Sequence, residues 1–416
     1  MRETDTQPIP RVRDDRQMGH GHHHGPPPPA SGRVRRLLAV LLAPFALAAL
    51  AGTVLLFPTG DAPAPAGSQP VHGDVTAARS GSCGGEVQVT APPAAGECLT
   101  VTVRMTDGPA PDREVSLVVP IEPSTPRFSP GDAVVLAYAG GDPLAGQSYQ
   151  LVDFQRDLPL VLLAVLFAGA VLLLGRWQGA KSLLALGLSF LVLVLFVLPA
   201  IIAGENPLLV ASAGAGVIMF AVLYLTHGLS ARTSTAVLGT MISLALIGGL
   251  SALFSALTAL TGLDDETATL IGTLGHGIDA RGLLLAGIVI GALGVLDDVT
   301  VTQTSAVWEL RAANPTFGAR QLYASATRIG RAHVSAAVNT LVMAYAGAAL
   351  PVLLYTSISG VGLGGILTTE SIAQEIVRTL VGSIGLVAAV PITTAVAAIV
   401  AVQELPSPIN DGIPRR

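Results

Sequence analysis

Charge is what this chain has least of. Only 12% of its 416 residues are Asp, Glu, Lys or Arg, about half the share of an ordinary soluble protein. Lys181 is the only lysine, so almost every fixed cation is an arginine. Aromatic residues make up 4%, and no basic stripe is interleaved with them, which argues against a nucleic-acid surface. There are two cysteines, Cys83 and Cys98, and only His72 lies near them, so no metal site is expected there. No His-Glu-x-x-His pair, Gly-x-Ser-x-Gly elbow or phosphate-cradling glycine loop occurs. The expectation is a protein that is not an enzyme and holds no cofactor.

What the chain has instead is long apolar runs. Half of it is hydrophobic, and the mean hydropathy is +0.62. Eight runs come near the ~20 residues that cross a ~30 Å hydrocarbon core. They are Leu37 to Phe57, Leu158 to Leu174, Ser182 to Ala203, Leu208 to Thr226, Ser234 to Leu260, Gly282 to Gln303, Ser335 to Tyr355 and Ile376 to Val402. Arginines set the expected orientation. Arg33, Arg35 and Arg36 precede the first run. The other expected inner segments hold Arg176, Lys181, Arg232, Arg311, Arg320, Arg328 and Arg331, and the short outer loops hold Arg281 alone. Both termini are therefore expected in the cytoplasm. The first run is longer than a signal-peptide core, so it reads as an uncleaved anchor despite the Ala64-Pro65-Ala66 context that follows.

The fold class expected is a polytopic α-helical membrane protein with about eight transmembrane helices. A small extracytoplasmic all-β domain, an OB-like barrel, lies between helices 1 and 2. Residues 1–36 read as a disordered cytoplasmic tail, 37–57 as the first helix and 58–157 as the β domain with its linkers. Residues 158–402 read as a seven-helix membrane domain and 403–416 as a second cytoplasmic tail. His20 and His22 to His24, followed by Pro26 to Pro29, look like biased tail composition rather than a metal site. Strands are expected at Glu86 to Thr90, Leu99 to Thr106, Glu114 to Ile121, Asp132 to Tyr138 and Ser148 to Phe154, where apolar alternation is punctuated by Gly, Pro and Asp. Cys83 and Cys98 fall in this outer region, where an oxidising compartment favours a disulfide.

The most informative run contains Asp297 and Asp298, some 15 residues into a membrane helix. A carboxylate that deep costs several kcal/mol unless it faces protein or water. Gly287, Gly291, Gly294 and Asp298 share one helical face, continued by Thr302 and Ser305. Asp297 lies about 100° round with Thr300 and Thr304. Small residues admit a neighbouring helix, so Asp298 is expected at a helix interface, with Asn339 as its polar partner. Two adjacent carboxyls in low dielectric resist joint ionisation, so one is expected to hold a proton. The bland alternative is a pair that only hydrogen-bonds neighbouring helices. An intramembrane aspartyl protease does not fit, because the two aspartates are neighbours on one helix. The outer loop Leu263 to Asp279 carries Asp264, Asp265, Glu266, His276 and Asp279, which read as a solvated acidic loop.

LDDVTVTQTSAVWELRAANP, followed by ATRIGRAHVSAAVNTLVMAYAGAALP, resembles the YibE/F family of bacterial membrane proteins. VTVRMTDGPAPDREVSLVVP and SPGDAVVLAYAG resemble that family's outer part. The resemblance runs from about Val87 to Val402 and implies a bacterial plasma-membrane protein. The segment Gly294 to Arg311 is also similar to the proton-relay helix of RND-type exporters and of the SecD and SecF export subunits, and Arg328 to Pro351 to the helix that follows it. That likeness implies an RND-like core at about 208–402, with Asp297, Asp298, Thr300, Thr302 and Asn339 as an ion or proton relay. Here the outer domain is much smaller, no buried lysine supplies a counter-charge, and no second acid-pair helix is present. A full relay would then need a homo-oligomer or a related membrane subunit. The expected partners are the lipid bilayer and protons or small cations, with no nucleic acid. Two functions compete: ion-coupled transport or export assistance, and a non-transporting scaffold.

Overall fold

The computed structural model describes residues 31–58, 69–82, 97–123, 125–274, 278–358, 360 and 362–404. The His/Pro tract, Cys83, the strand expected at Glu86 to Thr90 and most of the expected C-terminal tail lie outside them.

Helix α1, Gly32–Leu55, leads into five strands: β1 Gln69–Ser82, β2 Glu97–Met105, β3 Glu114–Pro120, β4 Ala133–Tyr138 and β5 Tyr149–Phe154. They form one antiparallel sheet in the order β3-β2-β1-β4-β5. The centre is β1, which the sequence pattern does not reveal. QPVHGDVTAARSGS is rich in small and polar residues, and only Val71 and Val75 reach the buried core. The strand works by length. Its first half pairs with β4 and its second with β2, and the β2 ladder shifts register between Val75 and Ala77. Gly73 lies where the chains crowd, because an added Cβ would meet the Arg104 carbonyl oxygen at 2.8 Å. Val101, Val103, Met105, Leu117, Val134 and Leu136 complete the core. The sheet curls until the turn Gly146–Ser148 meets β3, where Gly146 abuts the Ser116 carbonyl. Among the described residues no ladder joins β3 to β5, so the OB-like barrel expected is here a half-barrel. Cys98, on β2, is disulfide-bonded.

The helices follow as α2 Asp157–Val192, a π turn Leu193–Val197, α3 Leu198–Ile202, α4 Pro207–His227, α5 Ala231–Leu257, α6 Asp265–Leu274, α7 Ala280–Ala313, α8 Ala319–Ala348, α9 Leu350–Ile358, α10 Leu363–Leu367 and α11 Glu370–Gln403. Among the described residues, six helical stretches are long and apolar enough to cross a membrane: α1, α4, α5, α7, α11 and the continuous Asp157–Ile202. The last is not one rod. Arg176 has φ 50° and ψ −125°, a conformation that breaks a helix. Beyond the break Gly179 abuts the Val171 carbonyl. Residues eight apart in a straight helix are about 12 Å apart, so the chain has folded back into two legs. The first leg is apolar and exposed on nearly every side, as a lipid-facing helix should be. At 30 residues α8 is long enough to span but too polar to count among the six.

The bundle core is aliphatic, with Met219, Leu223, Ile247, Ile288, Leu296 and Leu386 fully buried, and small residues and hydroxyls set how closely its helices approach. An alanine at Gly239 on α5 would run into Thr393 on α11, and one at Gly385 on α11 would run into Ile247 on α5. The buried hydroxyls of Thr240 on α5 and Thr300 on α7 are 2.7 Å apart. Close approach of this kind lets van der Waals contact and interhelical hydrogen bonds drive association where the hydrophobic effect cannot. The α5–α7 connection is tied to α11 by Glu370. Its Oε1 accepts from the Thr261 and Gly262 backbone N–H groups at 2.9 and 3.0 Å, from the Thr261 hydroxyl and from Gln374.

Candidate functional site

Helix α7 presents two opposite characters along its length. Thr300, Gln303 and Thr304 are buried. Thr300 meets α5, and Gln303 donates to the Ala326 carbonyl on α8 at 2.8 Å. Gly287, Gly291, Gly294, Asp298 and Thr302 lie on the other side, and all five are exposed. The helical spacing therefore placed the two faces correctly but misjudged what covers one of them. Asp298 is not packed into a helix interface. Its side chain is 74% exposed. The glycines have made room, and long polar side chains from α8 and α11 reach over them instead of a helix backbone.

Three levels of this open stripe have polar neighbours. Near the start of α7, a Cβ at Gly287 would lie 3.9 Å from an Arg378 terminal nitrogen on α11. Arg378 is paired at 2.6 Å with Glu375. One turn on, a Cβ at Gly291 would lie 2.9 Å from the Tyr345 hydroxyl on α8. Two turns further, Asp298 Oδ2 is 3.6 Å from His333 Nε2 on α8. From Gly287 to Thr302 the stripe is about 22 Å long, most of a hydrocarbon core.

His333, not the expected Asn339, is the residue of α8 beside Asp298. Asn339 is exposed six residues along α8, about 240° round from His333, and does not join the pair. Asp297 is half-buried, and its Oδ1 is enclosed without a hydrogen-bond partner. The two carboxyls thus have different surroundings: Asp298 open, Asp297 enclosed. Glu375 Oε2 and Arg378 Nε are likewise buried and unpaired. Among the described residues no three His, Cys, Asp or Glu side chains are grouped to hold a metal ion.

Four of these groups, His333, Tyr345, Glu375 and Arg378, were not read as site residues from the sequence. For His333, Glu375 and Arg378 the signal lay at the edges of the expected apolar runs, whereas Tyr345 sits within one. His333 falls two residues before the expected run from Ser335, in a helix that starts at Ala319. Glu375 falls one residue before the expected run from Ile376, in a helix that starts at Glu370.

A multi-helix membrane protein with a polar, glycine-lined stripe between three of its helices is the class that this geometry defines. A family model described as YibE/F-like protein matches residues 163–403. That is more than half of the chain, and the chain belongs to this family. The match covers α4 to α11 and most of α2 and leaves the β domain outside it. No curated protein and no solved structure matches the chain.

Proposed function

We propose that this YibE/F protein is a proton- or ion-coupled transporter, or assists export, and that Asp298 is the group that carries the coupling ion. The observation that carries the reading is the mid-helix carboxylate of Asp298, 74% exposed on a stripe walled by α8 and α11. An ionisable side chain inside a membrane helix is costly unless it serves a path or a partner. In the scaffold reading the aspartates would hydrogen-bond neighbouring helices. Asp298 is instead mostly open, 3.6 Å from His333 and short of a hydrogen bond, and Asp297 Oδ1 has no partner, which favours the transport reading over the scaffold one.

In the same proposal the chain crosses the plasma membrane eight times, with the two legs around Arg176 and α8 added to the other five helices. Both termini lie in the cytoplasm and the β domain outside. Arginine placement supports this sidedness. Arg281, the one outer-loop arginine, is used structurally: it donates to the Ser255 hydroxyl at 3.2 Å and to the Ala252 carbonyl at 3.3 Å near the end of α5.

The test is cation and proton flux in liposomes carrying the native chain, Asp298→Asn or Asp298→Leu. Both variants should fold, because the side chain is mostly exposed, and both should lose flux at least tenfold. Native flux from the asparagine form would overturn the reading.

A further inference from the structure

The imidazole of His333 has no assigned role, and its position gives it one. His333 is the fifteenth residue of the 30 in α8, and Asp298 the nineteenth of the 34 in α7. Each is therefore about 20 Å or more from either end of its helix. Two ionisable groups on different helices have been brought level in the middle of the bundle. Their atoms are 3.6 Å apart, outside the 2.7–3.2 Å of a hydrogen bond and within one small side-chain movement of it. His333 is 42% exposed and Asp298 74%, so both open onto the same stripe.

The other charged and titratable groups around the pair are few. Asp297 adjoins on α7. Tyr345 on α8, and Glu375 with Arg378 on α11, lie further along the stripe towards the start of α7. Arg328 and Arg331 precede His333 on α8. Arg378 is already neutralised by Glu375. Among the described residues no third carboxylate, imidazole or thiol joins Asp298 and His333 to make a metal site.

We infer that His333 is the proton-exchanging partner of Asp298, and that the ion bound at this site is a proton. The inference rests on the transport reading above. The step balances without any further reagent. A proton on the Asp298 carboxyl passes to His333 Nε2, leaving a carboxylate and an imidazolium with no change in net charge. The imidazolium then releases its Nδ1 proton to water on the far side of the ring. A second proton returning to the carboxylate, and movement of the remaining imidazole proton from Nε2 to Nδ1 by ring flip or exchange through water, reset the pair. Imidazole suits this because its two nitrogens can take a proton on one side and give it up on the other. Asparagine at 339 cannot do so, and an arginine would hold its proton permanently.

The experiment compares His333→Gln with the native chain in two measurements. Glutamine keeps a hydrogen-bond donor but cannot take up and release a proton, so a merely structural role would survive it. Proton flux in liposomes should fall at least tenfold in His333→Gln, with the thermal unfolding midpoint unchanged. Nitrogen NMR of 15N-histidine-labelled chain in nanodiscs provides the second readout. The His333 ring signals, identified by their loss in His333→Gln, should move when Asp298 is replaced by Asn. Native flux in His333→Gln, or ring signals indifferent to Asp298→Asn, would overturn the inference while leaving Asp298 as the coupling residue. Transport of sodium or potassium without protons would do the same. A native chain that moves no ion at all would sink the transport reading along with it.

Discussion

Replacing Gly385 by alanine tests whether the bundle is held by close packing of α5 on α11. A Cβ at Gly385 would overlap Ile247 Cγ1 and Cδ1, with Ile247 Cβ 3.6 Å away. Ile247 is fully buried, so its side chain has nowhere to swing. Overpacking of this kind costs about 1–3 kcal/mol. Alanine favours a helix over glycine by about 1 kcal/mol, which leaves a net cost of about 0–2 kcal/mol. The companion variant Ile247→Ala leaves a cavity and should cost about 2–5 kcal/mol. In the double variant the new methyl enters the space that isoleucine vacated. The two costs should then fail to add, with a coupling of about 0.5–3 kcal/mol. Unfolding of purified chain by graded denaturing detergent measures all four corners of the cycle. Costs that add to within ~0.5 kcal/mol, as independent sites do, would refute the packing argument.

Other expectations concern the β domain and the sidedness. Asp107 accepts from the His72 backbone N–H at 2.6 Å and lies 2.6 Å from the His72 ring, and these bonds hold its carboxyl below the usual carboxylate range. Its stabilising contribution is present above about pH 4 and lost as pH falls through the lowered folded value. Thermal melts of the native chain should therefore lose stability below pH 4 more steeply than those of Asp107→Ala, and equal slopes would count against the clasp. Mass spectrometry of a non-reduced digest should recover Cys98 linked to Cys83, and recovery of both as free thiols from fresh membranes would reject that pairing. Cysteines introduced near Gly141 should label from outside the cell and those near Asn314 only from inside; the reverse pattern would invert the proposed orientation.

Hydropathy made most of the bundle legible because lipid-facing helices must be apolar over their whole length. It failed where helices face one another or a polar stripe. Helix α8 begins sixteen residues before the expected apolar run from Ser335, and α11 six residues before the run from Ile376. In both cases polar residues inside a helix read as loop. Periodicity along α7 separated Asp298 and Thr302 from Thr300 and Thr304, because 100° per residue holds whatever surrounds the helix. The partner of Asp298 was not legible, since it depends on how far α8 slides along α7. Strand β1 was missed for a related reason. A central strand is defined by its two neighbours, and one with few apolar residues carries little of its own pattern.

The place of α11 in the bundle has a consequence for how the protein is made. It packs against α5, α7 and α8, all of which leave the ribosome before it. At about 5–20 residues per second, α5 waits on the order of 10–30 s for the helix that covers Ile247. During that interval the face of α5 that bears Gly239 and Ile247 is without its partner. Assembly of this membrane domain is therefore governed by its closing segment, and a nascent chain stalled before Glu370 would present a recognisable unfinished surface to membrane quality control.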